Sequence, residues 1–266
     1  MKKYFVIFAL VVITACNNNK DADGPVDPDV VPAKTPVISY TIAAEYPHDT
    51  SAYTQGLEFH NGKLYEGTGD FETSSLRITD YKTGKVEKKH MMGTDSIFGE
   101  GITIFKNKIY QLTWESHIVY VYDVDNIDKP IKTFNWPYEG WGITNNGTDL
   151  IISDGTAKLY FVNADDFRLK STISVTENGD PVYKLNELEY IDGFVFANIY
   201  MTEKLVKIDP ASGFVVGKID FRDALRNRFE GTSRTDYFNG IAYDSATKKI
   251  LITGKRWPKM FELKLN

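Results

Sequence analysis

The chain is poor in the side chains that carry metal, thiol and phosphate chemistry. Among 266 residues there is one cysteine and there are four histidines. The histidines (His48, His60, His90 and His117) are scattered without paired ligand spacing, so no zinc constellation is read, and a lone cysteine forms no internal disulfide. His48 and Asp49 are adjacent, but neighbours in a strand face opposite ways, so this pair is expected to stabilise a turn. No glycine-rich phosphate loop or nucleophile elbow occurs. A net charge of −5 gives no basic face for nucleic acid. The apolar run 4–13 is too short to span a bilayer as an ordinary helix.

That run instead ends in an export signal. Lys2 and Lys3 precede it, and Ile13-Thr14-Ala15-Cys16 resembles a bacterial lipobox, whose cysteine becomes the lipidated first residue of the mature chain. Residues 1–15 are therefore read as a lipoprotein signal peptide. The expected product is an exported lipoprotein held to the membrane by its lipid alone, with Asn17 after the cysteine pointing to the outer membrane. Residues 16–36 carry Pro25, Pro28, Pro32, Pro36 and four aspartates with little apolar content, the composition of a disordered tether.

From residue 37 onward the composition changes. Of the whole chain, 42% is hydrophobic and 14% aromatic, enough for a large core. A short motif recurs: Gln55-Gly56-Leu57, Glu100-Gly101-Ile102, Trp141-Gly142-Ile143, Asn186-Glu187-Leu188 and Asn239-Gly240-Ile241, at steps of 45, 41, 45 and 53 residues. Each motif opens an apolar strand that turns back into a second, with turn signals such as Asn61-Gly62, Asn146-Gly147 and Asp192-Gly193. All-strand repeats of this period predict an all-β, five-bladed β-propeller over 37–266. The fifth repeat has three strands. The unpartnered strand 37–46 is expected to supply its fourth, closing the ring and removing an open edge. A short helix is expected over 221–229, inside the longest step.

Hairpins arranged this way bring two rings of side chains to one mouth of the channel. The first holds Gln55, Glu100, Trp141, Asn186 and Asn239; the second holds Gly69, Trp114, Gly155, Tyr200 and Lys255. One acid, one lysine, amides and aromatics converge, as in a concave ligand site with few polar groups. The residues alone leave the ligand open.

Nine stretches in order, including YPHDTSAYTQGLEF (46–59), FGEGIT (98–103), GWGI (140–143), LNELEY (185–190) and ITGKRWPKMFEL (252–263), resemble the plant and bacterial glutaminyl-peptide cyclotransferases across essentially the whole mature domain. The resemblance implies a five-bladed propeller that converts an N-terminal glutaminyl residue of a peptide or protein to pyroglutamyl with release of ammonia, without a catalytic metal or other cofactor. It places the catalytic glutamate on Glu100, the pocket amide on Asn186 and the active-site lysine on Lys255, with Gln55, Trp114 and Trp141 also in the pocket. Where the family carries a tryptophan in the fourth blade, this chain has Tyr200. Asn239 is added as a substrate-binding residue from its ring position.

In such a reaction the α-amine, which titrates near about 7.7–8.0, attacks the side-chain amide of its own residue. The enzyme must position the two, stabilise the oxyanion and protonate the departing nitrogen. Glu100 is expected to carry the proton, Lys255 and Asn186 to donate to the oxyanion or the substrate carbonyls, Gln55 to orient Glu100 or the substrate, and the aromatic residues to exclude water. A monomer is expected. Two rival classes are a non-catalytic peptide-binding propeller and a metal-dependent propeller hydrolase or lactonase, in which Glu100, Asn186 and Asn239 would be ligands.

Overall fold

Apolar runs bounded by tight turns fold into antiparallel strand quartets in the computed structural model, which describes residues 34–92, 94–225 and 236–266. The first sheet comprises Thr54–His60, Lys63–Thr68, Ser75–Asp80 and Lys85–Met91. The second comprises Gly99–Phe105, Lys108–Thr113, Ile118–Asp123 and Lys132–Asn135. The third is built from Ile143–Asn145, Leu150–Ser153, Lys158–Val162 and Leu169–Ser174. The fourth is built from Leu185–Ile191, Phe194–Ile199, Lys204–Ile208 and Val215–Asp220. The last joins Phe238–Asp244, Lys249–Gly254 and Lys259–Leu265 to Tyr40–Pro47. The first strand of each sheet packs beside that of the next, and the fifth returns to the first, which makes the chain a five-bladed propeller.

Tyr40–Pro47 lies antiparallel on the C-terminal strand, from Tyr40 opposite Leu265 to Pro47 opposite Lys259. Residues before 37 also pack on the propeller: Thr35 is buried and its hydroxyl donates to Asn178 Oδ1, while Lys218 N donates to Pro36 O. The leader, Cys16 and most of the tether fall at 1–33, outside the described residues. Of the expected helix, Arg222–Leu225 is helical and 226–229 fall outside them. A small hairpin of Thr176–Glu177 and Asp180–Pro181 was not anticipated, because two-residue strands leave no periodic pattern.

The core lies between the blades. Each of the five inter-blade layers has its own apolar cluster, such as Tyr65 and Leu76 against Ile102, Ile109 and Tyr122, or Leu57 and Leu64 against Ala242 and Met260. Each fully buried aliphatic side chain contributes about 1.5–3 kcal/mol. The outermost strands face solvent on one side and alternate accordingly, as Lys85–Met91 does.

Strand alternation also fixes what faces the axis. With Leu57, Ile102, Ile143, Leu188 and Ile241 turned into the blades, the residues on either side of each point inward. The preceding ring is glycine in four blades, and at Gly142 a Cβ would stand 2.0 Å from Asn186 O, so neighbouring inner strands touch backbone to backbone. The fourth blade places Glu187 at that level. Its carboxylate reaches across to accept from Leu57 N at 3.2 Å and from Ile241 N at 3.0 Å.

Below it sit Glu58, which accepts from the Thr103 hydroxyl at 3.0 Å, and Glu189, which accepts from Tyr243 N at 2.7 Å. Burial raises the pKa of all three carboxyls, and for Glu189 the charges of Glu58 and Glu187 add to it. That of Glu58 is pushed up to about 7.

A carboxyl with a raised native pKa binds more protons folded than unfolded, so its contribution is complete below the usual value of 4.5 and is lost as pH rises through about 7. Glu58→Gln keeps an oxygen for Thr103 and removes the charge. It is expected to raise Tm at pH 8, by roughly 2–4 °C for each kcal/mol relieved, and to leave Tm unchanged at pH 4. Thermal melts at both pH values check this; equal offsets would show that Glu58 does not titrate this way.

Candidate active site

The mouth opposite these three carboxylates is shaped by five β-bulges. In the first blade Thr54 pairs with Thr68 and Gly56 with Gly67, leaving Gln55 as the extra residue. The same one-residue excess occurs between Gly99 and Ile102, between Leu185 and Leu188, and between Phe238 and Ile241. In the third blade Trp141 N donates to Ser153 O while Gly142 O accepts from Ser153 N, again two residues against one. A bulge re-aims the side chain it carries, so each first-ring residue leaves the plane of its own sheet.

Seven of the eight sequence-predicted pocket residues line one cavity of about 220 Å³: Gln55, Glu100, Trp114, Trp141, Asn186, Tyr200 and Lys255. Asn239 does not. It is fully buried beneath the floor, with every polar atom used by protein: Nδ2 donates to Thr54 O and Gln55 Oε1, and Oδ1 accepts from Asn186 and Asn198. It braces Gln55 and Asn186, which do line the cavity.

Glu100 is 5% exposed. Gln55 Nε2 donates to its Oε1 at 3.0 Å, and among the described residues Oε2 has no hydrogen-bond partner. A proton on this carboxyl therefore sits on Oε2. Burial holds Glu100 well above the usual carboxylate range, against the pull of the Lys255 charge and with a push from Glu139.

Lys255 is 3% exposed, and its Nζ lies 4.6 Å from the Tyr53 ring centre and 4.7 Å from that of Tyr200. Aromatic faces on two sides stabilise the cation without engaging its hydrogens. Burial lowers its pKa, while the charges of Glu100 and Asp236 work against that. His48 braces this corner from behind, with Nδ1 2.7 Å from Trp257 O and Nε2 3.0 Å from Glu66. Asp49 caps a turn through Ser51 and pairs with Arg77.

The amide of Asn186 is anchored by a second, fully buried amide. One hydrogen of its Nδ2 goes to Asn239 Oδ1 at 2.8 Å, which leaves the second as a donor, and among the described residues its buried Oδ1 has no hydrogen-bond partner. An unmet buried carbonyl costs about 1–3 kcal/mol.

Two lining residues, Tyr53 and Phe98, and one supporting residue, Glu139, were missed from the sequence. Glu139 Oε2 accepts from both indoles, Trp114 Nε1 at 2.7 Å and Trp141 Nε1 at 2.9 Å, and so sets the angle between the two walls. All three stand two residues before a first-ring position, as does Tyr237, whose ring packs edge-on against Tyr200 at 5.4 Å. Extending the repeat by one step would have found them. Gly155 has φ +77°, and a Cβ there would fall 2.6 Å from the Trp141 ring, so this second-ring glycine makes room for the indole. Among the described residues no three His, Cys, Asp or Glu side chains converge to hold a metal.

Set against known proteins, residues 7–265 match the family model for glutamine cyclotransferase. A curated glutaminyl-peptide cyclotransferase of Arabidopsis thaliana is 37% identical over 227 residues, covering 84% of this chain and 70% of that protein. The crystal structure of Myxococcus xanthus glutaminyl cyclase superposes with a TM-score of 0.80 at 35% identity, covering 87% of this chain and 98% of that one.

Proposed function

For a chain that belongs to the glutamine cyclotransferase family, we propose that Glu100 is the proton carrier of glutaminyl cyclisation and that Lys255 steadies the negative charge formed during it. The enzyme is a glutaminyl-peptide cyclotransferase; the roles of its residues are our reading. The observation that carries it is a single buried acid, held by Gln55 through one oxygen and open to the cavity through the other, in the same cup as an ammonium that has no hydrogen-bond acceptor among the described residues.

The substrate's α-amine nitrogen attacks the side-chain carbonyl carbon, forming the ring C–N bond. Electrons move onto the carbonyl oxygen, which Lys255 Nζ faces as a donor. Glu100 Oε2 takes one proton from the attacking nitrogen and gives one to the amide nitrogen. The C–N bond to that nitrogen breaks, ammonia departs, and the carboxyl returns to its starting state. The raised pKa of Glu100 suits this task, since a group that must both take and give a proton works best when it titrates near the working pH. Trp114, Trp141, Tyr200, Tyr53 and Phe98 wall the cup, and a water-poor cup favours the internal amine over water as nucleophile.

No step requires a metal or a cofactor. The test is ammonia release, with loss of one ammonia in peptide mass, from a short glutamine-initiated peptide in excess chelator. Turnover is expected, and loss of activity that returns with a divalent metal would favour the hydrolase class. The leader and Cys16 support an exported, lipid-anchored form that acts on peptide or protein N-termini outside the cytoplasm.

A further inference from the structure

The rings that wall the cup continue past its rim. Phe98 meets Tyr53 edge-on at 5.9 Å, Trp114 at 5.8 Å and Phe71 at 5.3 Å. Gly69 leaves room for it, since a Cβ there would stand 2.3 Å from the Phe98 ring. Phe98 and Trp114 line the cup and also a second cavity of about 390 Å³, so the two adjoin. The second cavity is completed by Phe71, Ile97 and Ile118, with the exposed Glu115 also in its lining.

The outer wall of this groove is set by a constrained loop. Phe71 is 45% exposed, and the residues on either side of it, Asp70 and Glu72, have φ of +84° and +65°. Left-handed backbone is unfavourable for a residue with a Cβ and persists where its surroundings enforce it. Here the Asp70 carboxylate pairs with Arg256, the neighbour of Lys255, and Glu72 N donates to Thr94 O at 3.1 Å. The loop thus holds a phenyl ring in solvent beside the catalytic mouth.

A peptide whose first side chain fills the cup must carry its second residue over the rim. Consecutive Cα atoms are about 3.8 Å apart, and successive side chains of an extended chain point opposite ways. Where the main chain crosses at Phe98 and Trp114, the second side chain is turned onto the far side of these rings.

We propose that this groove receives the side chain of the second residue of the substrate peptide, and that it selects an aromatic or large aliphatic side chain there over a small or acidic one. The proposal rests on the cyclotransferase reading of the cup. Apolar walls reward the area that such a side chain removes from water. They offer an acidic one no donor, and Glu115 repels it.

The test measures ammonia release from C-terminally amidated peptides Gln-X-Ala-Ala, with X as phenylalanine, leucine, glycine, aspartate or lysine, and from Gln-Ala-Phe-Ala. In the wild-type enzyme kcat/KM for phenylalanine or leucine at X should exceed that for glycine by about tenfold, the worth of partly burying a large apolar side chain. Aspartate should rank last, and Gln-Ala-Phe-Ala should lack the gain. Phe71→Ser should bring the phenylalanine-to-glycine ratio down by about threefold or more. Glu115→Lys should move the aspartate-to-lysine ratio about two- to fivefold toward aspartate at low salt, and less at high salt.

Four results would overturn the proposal. They are equal wild-type kcat/KM for phenylalanine and glycine, a gain that appears only with phenylalanine at the third residue, Phe71→Ser slowing every peptide alike, and Glu115→Lys leaving the aspartate-to-lysine ratio at the parent value. If Phe71→Ser does not fold, the wild-type series and Glu115→Lys still decide. A wild-type enzyme that releases no ammonia from any of the peptides overturns the cyclotransferase reading itself, an outcome distinct from equal turnover on all of them.

Discussion

Glu100→Gln should lower kcat by about 10²–10⁴-fold, the usual worth of a positioned proton carrier, in a protein that melts no lower than the parent. The substitution is isosteric, and the new amide oxygen can still accept from Gln55 Nε2, now 3.0 Å from Glu100 Oε1. What disappears is the titrating oxygen at the cavity. The effect on stability has a definite sign. Burial raises the native pKa of Glu100 above that of the unfolded chain, so its ionisation weighs increasingly against the fold as pH rises, and the neutral amide is spared this. The variant should therefore gain in Tm relative to the parent between neutral and alkaline pH. Single-turnover kinetics and melts on the same samples separate the two effects. Near-normal kcat would remove Glu100 from the chemistry.

Lys255→Met should cost about 10²–10³-fold in kcat, as the loss of one oxyanion donor does, while the unbranched apolar side chain keeps its seat between the Tyr53 and Tyr200 rings. Here the linkage runs the other way. A buried lysine with a lowered native pKa binds fewer protons folded than unfolded, so stability rises with pH above the native value and up to the ordinary 10.5. Methionine removes that burden, and the variant should be more stable than the parent at neutral pH. In the wild-type enzyme the same titration places the alkaline loss of activity below the ordinary lysine range. Lys255→Arg, which stays charged, should lose the alkaline limb even if its rate is low. A Lys255→Met enzyme with unchanged kcat would reassign the lysine to packing.

The repeat motif carried most of this in plain view. Because the strand period is two and the blade period is near 45, a single aligned position located Gln55, Glu100, Trp141 and Asn186, and the far ends of the hairpins located Trp114, Tyr200 and Lys255. Three features were hidden for physical reasons. Whether an amide gives or takes a hydrogen bond depends on its neighbours in space, so the polarity of Asn186 became visible only with Asn239, Asn198 and two main-chain carbonyls around it. Asn239 shares the ring position of Asn186 but sits beneath the floor, a difference of depth that spacing does not encode. Glu139 looks like one more surface acid until the two indoles are seen to meet on it. Tyr200, the departure from the family pattern, proves to be one of the two rings that hold Lys255.

The backbone collar at Gly142 and its neighbours, with the Glu187 carboxylate bridging the axis above Glu58 and Glu189, turns what looks like a tunnel into a blind cup. Among the described residues the cup then opens at the mouth lined by Trp114 and Trp141. The peptide terminus enters past Trp114 and Trp141, and the ammonia split from it leaves by the same route, after or around the pyroglutamyl end. Water has no back entrance either, so a seated peptide is its own stopper: while it blocks the doorway nothing replaces the amine as attacking group.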